Sequence, residues 1–204
     1  MRNLFTGACR RINVTEEFMK RALIITVASL TVLSGWAKVA GATSVNSSQA
    51  TDSISAIRQR YAAINKNLKK YRVVKKELSG FSTEGGELTA YFDGAAIVKI
   101  AVVNNGETNS FFEEFYYLNE KLIFVYRKQE IYNEPMSKVV KTKENRFYFA
   151  DGELIRWVNE NGKHVAASNG EYPVSRTHYL GLSKLLVEGA RSQQPMIEAP
   201  ERNP

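Results

Sequence analysis

Few side chains in this sequence are reactive, and those that are do not form a recognisable reacting set. The chain has two histidines, His164 and His178, and one cysteine, Cys9, among 204 residues. Neither histidine belongs to a close His/Cys ligand pattern, so the sequence offers no metal site. There is no nucleophile elbow, no Ser-x-x-Lys pair, no phosphate-cradling glycine loop and no dinucleotide fingerprint. Glu113 and Glu114 are adjacent. On a strand they point to opposite faces and cannot share a proton on one surface. Asp151 and Glu153 flank a predicted hairpin turn, where turn geometry and solvent explain them. No catalytic residue and no cofactor are assigned.

What remains is aromatic. Tyr116, Ile123 and Val125 correspond, in an ungapped repeat 32 residues apart, to Tyr148, Ile155 and Trp157. Arg127 and Arg146 lie close by in sequence. Aromatic rings with an arginine at their edge can hold a peptide, a glycan or an apolar ligand. The candidate binding residues are therefore Tyr116, Tyr148, Trp157, Arg127 and Arg146. The competing explanation is that the C-terminal helix packs over them.

The element that positions them is the stretch from Phe147 to Val158. Asp151-Gly152 lies between two β-prone runs and suits a type I′ hairpin turn. Strict alternation would place Phe147, Phe149, Leu154 and Val158 on one face and Tyr148, Ile155 and Trp157 on the other. Both faces are apolar, so something should cover each. Phe115 to Ile123 repeats this pattern with Asn119-Glu120 at the turn, which lacks the glycine. Two copies fall short of a solenoid and read as hairpins of one antiparallel meander.

The chain is long enough for one domain with a core. Its formal charge is +7, but six of the 28 basic and two of the 21 acidic residues lie in residues 1–42. The remainder carries +3, too little to imply nucleic acid. Met19-Lys20-Arg21, the uncharged run Ala22–Trp36 and Ala40-Gly41-Ala42 together match a secretory signal peptide cleaved after Ala42. That run is short for a membrane span, so no stable span is expected after cleavage. The mature chain would be periplasmic or secreted and would lack cysteine.

Four segments follow: 1–42, upstream extension and signal peptide; 43–52, a flexible leader; 53–191, one α+β domain; 192–204, a disordered tail rich in proline. Ile54, Ile57, Tyr61, Ile64 and Leu68 have helical spacing, with a cap expected at Thr51–Ser53. Arg72–Leu78 is ambiguous between helix and strand and is read as a strand. Further strands are expected at 87–92, 95–103, 109–118 and 121–132. A short strand at 138–141 precedes the Phe147–Val158 hairpin, and a last strand fragment is expected at 163–166. Tyr179, Leu182, Leu185 and Leu186 mark a second helix, capped by Ser175 or Thr177. The fold class is α+β, an antiparallel meander of about six or seven strands flanked by an N-terminal and a C-terminal helix.

Ile57-Arg58-Gln59-Arg60-Tyr61, the run Gly85–Gly94, Leu122-Ile123-Phe124-Val125 and the Phe147–Trp157 hairpin together resemble a group of uncharacterised exported bacterial proteins. That resemblance implies an extracytoplasmic α+β protein and brings no activity with it. The hairpins also look like those of toxin–antitoxin-type and membrane-occupation repeat proteins. The expected function is non-enzymatic binding of a protein, peptide or glycan partner in the cell envelope through the aromatic sheet surface. The alternative is a structural or inhibitory module acting through an edge strand or the Gly80–Gly86 loop. A hydrolase with a carboxylate site is the third reading.

Overall fold

Alternation along the strands sorts the side chains into two apolar sets, and each set is covered by its own helix. The computed structural model describes residues 47–134 and 138–200; the expected signal peptide lies outside them. All described residues belong to one compact unit. Helix α1 spans Ser47–Lys66 and one 3₁₀ turn spans Leu68–Lys70. The strands are β1 Arg72–Ser79, β2 Gly86–Asp93, β3 Ala96–Asn105, β4 Asn109–Leu118, β5 Lys121–Tyr132, β6 Val139–Ala150 and β7 Glu153–Val158. Helix α2 covers Glu171–Arg191 and strand β8 covers Met196–Glu198. The spatial order is β7-β6-β5-β4-β3-β2-β1-β8. The first seven strands form the antiparallel meander. β8 adds an eighth, parallel to β1.

One face carries Phe115, Tyr117, Val125, Phe147 and Phe149 and packs under Tyr179 and Leu186 of α2. The other carries Val98, Tyr116, Ile123, Phe124 and Tyr148 and packs under Ile54, Ile57 and Ile64 of α1. The helices therefore take opposite sides. Burying a ring such as Phe115 or Phe149 is worth about 1.5–3 kcal/mol, so the stacked aromatic rows dominate both cores. Tyr117 can be buried because its hydroxyl accepts a hydrogen bond from Ser183 Oγ at 3.1 Å.

The two related hairpins use the same turn. Asp151 and Gly152 have φ of 49° and 80°, and Asn119 and Glu120 have 49° and 64°. A glutamate thus occupies a left-handed position that normally favours glycine. Each hairpin also contains a bulge. The register shifts between Tyr148 and Phe149 leave Ile155 as the extra residue, and between Tyr116 and Tyr117 leave Ile123. Val98 is the extra residue in the β2–β3 hairpin. All three join or pack against the α1-side core.

Several expected boundaries change. Helix α1 starts at Ser47, inside the stretch expected to be a flexible leader. The fragment at 138–141 and the first strand of the Phe147–Val158 hairpin are one continuous twelve-residue strand, β6. Helix α2 starts at Glu171, whose N–H donates to Asn169 Oδ1 at 2.8 Å, so Ser175 and Thr177 lie within it. Of 163–166, only an isolated bridge between His164 and Val158 forms.

The expected disordered tail is also corrected. From Ser192 to Ala199 it crosses the outer edge of β1. Buried Lys76 donates through Nζ to Ser192 O at 3.0 Å and to Gln194 O. Glu77 N–H donates to Pro195 O at 3.1 Å, and Ala199 N–H to Ser79 O at 2.9 Å. Ile197 is buried against Gly189, where even a Cβ would collide with it. Composition pointed to disorder because polar and proline-rich segments usually lack a partner. Here an otherwise unpaired sheet edge supplies one.

Candidate functional site

The α2-side face holds a polar row at one end of its apolar floor. Glu113 on β4 is in register with Arg127 on β5, and Arg127 with Asn145 on β6. Around this row lies a cleft of about 970 Å³. The sheet forms its floor, α2 residues from Glu171 to Leu182 form one wall, and the turns Phe81–Thr83 and Gly106–Asn109 form the other. Its volume falls in the range of ligand-sized clefts. The Gly80–Gly86 loop, considered from sequence as a separate contact element, is thus a wall of this cleft. It is tied down by Ser82 Oγ donating to Gly85 O at 2.7 Å and by Asn105 N–H donating to Gly85 O at 2.9 Å.

Glu113 is only 7% exposed. Arg127 Nε lies 3.4 Å from its Oε1 without completing a hydrogen bond. Burial pushes the Glu113 carboxyl above its ordinary range, and the Arg127 charge only partly offsets this. The Arg127 guanidinium sits 4.7 Å above the Phe111 ring, in the same lining as the Tyr179 phenol. Burial raises the Tyr179 phenol, and the nearby Glu113 charge adds to this. His178 is exposed on its outer side. Desolvation on its inner side, then the Arg127 charge, hold its imidazole below the usual value. Asn145 accepts a hydrogen bond from Trp157 Nε1 at 2.9 Å. Trp157 lies 5.2 Å from Phe147, which lies 4.5 Å from Tyr179.

The five residues singled out from sequence do not share one surface. Arg127 and Trp157 line the α2-side cleft. Tyr116, Tyr148 and Arg146 lie on the α1 side. Strict alternation placed Trp157 with Tyr148. The bulge at Ile155 shifts the later residues by one, so that Trp157 pairs with Phe147 and faces α2. Val158 moves the other way and joins the α1-side cluster.

The α1-side group is largely interior. Tyr116 is fully buried, 4.9 Å from the Tyr61 ring. It donates to Glu114 Oε2 at 2.5 Å, and Lys99 Nζ donates to Glu114 Oε1 at 2.7 Å and to Asn65 Oδ1 at 3.1 Å. Burial, reinforced by Glu114, drives the Tyr116 phenol far above its ordinary value. Arg146 pairs with Glu144 at 2.6 Å and covers the Tyr126 ring at 5.6 Å; Arg58 covers Tyr148 at 5.9 Å. A cavity of about 490 Å³ remains here, but its carboxylates already have partners. For Tyr116 and Tyr148, the covering helix expected as the competing explanation is what the structure contains, although it is α1 and not α2.

Glu113 and Glu114 point to opposite faces, each with its own cation. Sequence reasoning passed over Glu113, His178, Asn145 and Asn104. A signal for Glu113 was present: it occupies the middle of the same-face series Phe111, Glu113, Phe115, a carboxylate where the pattern calls for an apolar residue. His178 carried no such signal, because its place depends on how α2 docks. Among the described residues, no three His, Cys, Asp or Glu side chains converge as a metal site, and no helix is long and apolar enough to cross a membrane. No family model, curated protein or solved structure matches this chain. The likeness to exported bacterial proteins therefore rests on the motifs that suggested it.

Proposed function

We propose that this is an exported, non-enzymatic binding protein that holds a ligand in the cleft between the sheet and α2. One observation carries the reading: a cleft of about 970 Å³ with aromatic walls and, in its floor, a buried Glu113 paired with a partly exposed Arg127. Large concave sites with a few fixed polar groups among aromatic side chains are the usual form of a ligand site, and perturbed ionisable groups concentrate in them. The ligand is a small molecule or the end of a peptide or glycan. Export is supported by the sequence from Met19 to Ala42, and an envelope location would present such ligands.

Native mass spectrometry after incubation with the small-molecule fraction of an envelope extract tests the binding. A ligand adduct that Arg127→Met weakens is expected, with the thermal midpoint of the variant showing that it folds. An adduct insensitive to Arg127→Met and Phe111→Ala would place binding elsewhere, and no adduct would remove the proposal. Peptide mapping of the cell-derived protein tests export: an N-terminus near Thr43 in the extracytoplasmic fraction is expected.

A further inference from the structure

Among the described residues, two buried polar atoms in the cleft lack partners, and they are of opposite kind. Asn104 Oδ1 is an acceptor with no donor, and Arg127 Nε is a donor with no acceptor. Buried groups of this kind are rare because each leaves a desolvation cost uncompensated. Their strands are two places apart on the same face: Asn104 pairs with Phe111 on β4, and Glu113, two residues further on, pairs with Arg127. A hydroxyl donates and accepts through one uncharged oxygen, whereas an amide does so through two separate atoms. Other polar groups lining the walls, Thr83, Asn109 and Ser175 among them, are also uncharged hydrogen-bonding groups.

Charge points the same way. Among the described residues of the lining, Arg127 is the only lysine or arginine, and it faces Glu113, while Glu107 and Glu171 add two more carboxylates. That balance disfavours an anion. The rest of the lining is apolar and chiefly aromatic, with Phe111, Trp157 and Tyr179 among it. The negative face of an aromatic ring attracts the weakly positive C–H groups along one side of a sugar ring.

We infer that the cleft binds a neutral polyhydroxylated ligand, a short oligosaccharide, with hydroxyls answering Asn104 and Arg127 and a sugar ring lying on its aromatic wall. This rests on the cleft being the ligand site. The test uses the full chain carrying Trp36→Phe, so that Trp157 is the sole tryptophan reporter. It is titrated with neutral di- to tetrasaccharides of glucose, galactose, mannose and N-acetylglucosamine, with trialanine as the peptide probe and with citrate as the anionic probe. Saturable change of Trp157 emission with a neutral saccharide, little affected by salt, is expected. Asn104→Leu and Arg127→Met should each weaken it about tenfold or more, the effect of losing a buried hydrogen bond. Asn104→Asp keeps the acceptor and should retain more of the binding than Asn104→Leu. Thermal midpoints establish that each variant is folded. Saccharide binding unaffected by both variants overturns the inference, as does silence across the saccharides. If trialanine or citrate binds instead, the cleft stands as a ligand site and the sugar assignment falls. If no probe binds and the extract yields no adduct, both readings fall.

Discussion

At the scale of the residue, Glu113 sits in an environment that a carboxylate disfavours. Its carboxyl is nearly inaccessible, and its native pKa is raised from an ordinary 4.5 by burial. The consequence for stability has a definite sign. Below pH 4.5 the carboxyl is protonated in both folded and unfolded chains. As pH rises from there toward the raised native value, the unfolded chain ionises first and the folded state loses stability. Glu113→Gln removes this component. Denaturant unfolding at a series of pH values should show a fall above pH 4.5 in the parent and a flatter profile in the variant; parallel profiles would contradict it. Glu120 provides a separate case. Its left-handed φ of 64° costs a non-glycine residue about 1–2 kcal/mol, and its exposed pair with Arg191 returns about 0–1 kcal/mol. Glu120→Gly should therefore stabilise the chain by about 0.5–1 kcal/mol in the same assay.

At the scale of the element, the sequence was informative wherever period and turn chemistry acted alone. Asp151-Gly152 located a hairpin, the echo at Asn119-Glu120 located a second, and apolar residues on both sides of the sheet required two covers. What alternation could not supply was the bulge. One extra residue, Ile155, exchanges Trp157 and Val158 between faces. The bulge at Ile123 does the same to Arg127, and the five expected binding residues therefore divide into two groups. Whether a bulge forms depends on strain across the whole hairpin, and no local residue choice announces it. The clearest clue lies in the repeat: Ile123 and Ile155 are both the extra residue and stand at equivalent positions. The C-terminal strand was hidden for another reason. A three-residue strand has too little pattern to be seen, and its support comes from Lys76 and Gly189, remote in sequence or on another element. Lys76→Met keeps the length of the side chain and leaves Ser192 O and Gln194 O without their donor. A loss of about 1–3 kcal/mol is expected, with hydrogen exchange at Ile197 and Ala199 increasing more than at β4 or β5.

At the scale of the whole molecule, one sheet serves two unlike purposes. Its α1 side is largely filled: a part-buried Lys99–Glu114–Tyr116–Asn65 network joins helix to sheet with its hydrogen bonds largely made. Its α2 side is closed along Tyr179, Leu186 and Ala190 but opens into the cleft toward the start of α2. The two sides should therefore respond differently to substitution. Tyr116→Phe should lower stability by about 1–3 kcal/mol, because it leaves buried polar partners unanswered, and leave ligand adduct formation intact. An equal loss of adduct would mean that the α1 side takes part in binding. The manner in which the sheet is completed has a kinetic consequence as well. Its hairpins join strands that are neighbours in sequence, whereas the Lys76–Ser192 contact spans 116 residues. Closing so long a loop is entropically costly and is repaid only once the meander exists. The newly made chain should therefore pass through a form with its hairpins assembled and the outer side of β1 still unpaired, exposed until the final segment arrives to cover it.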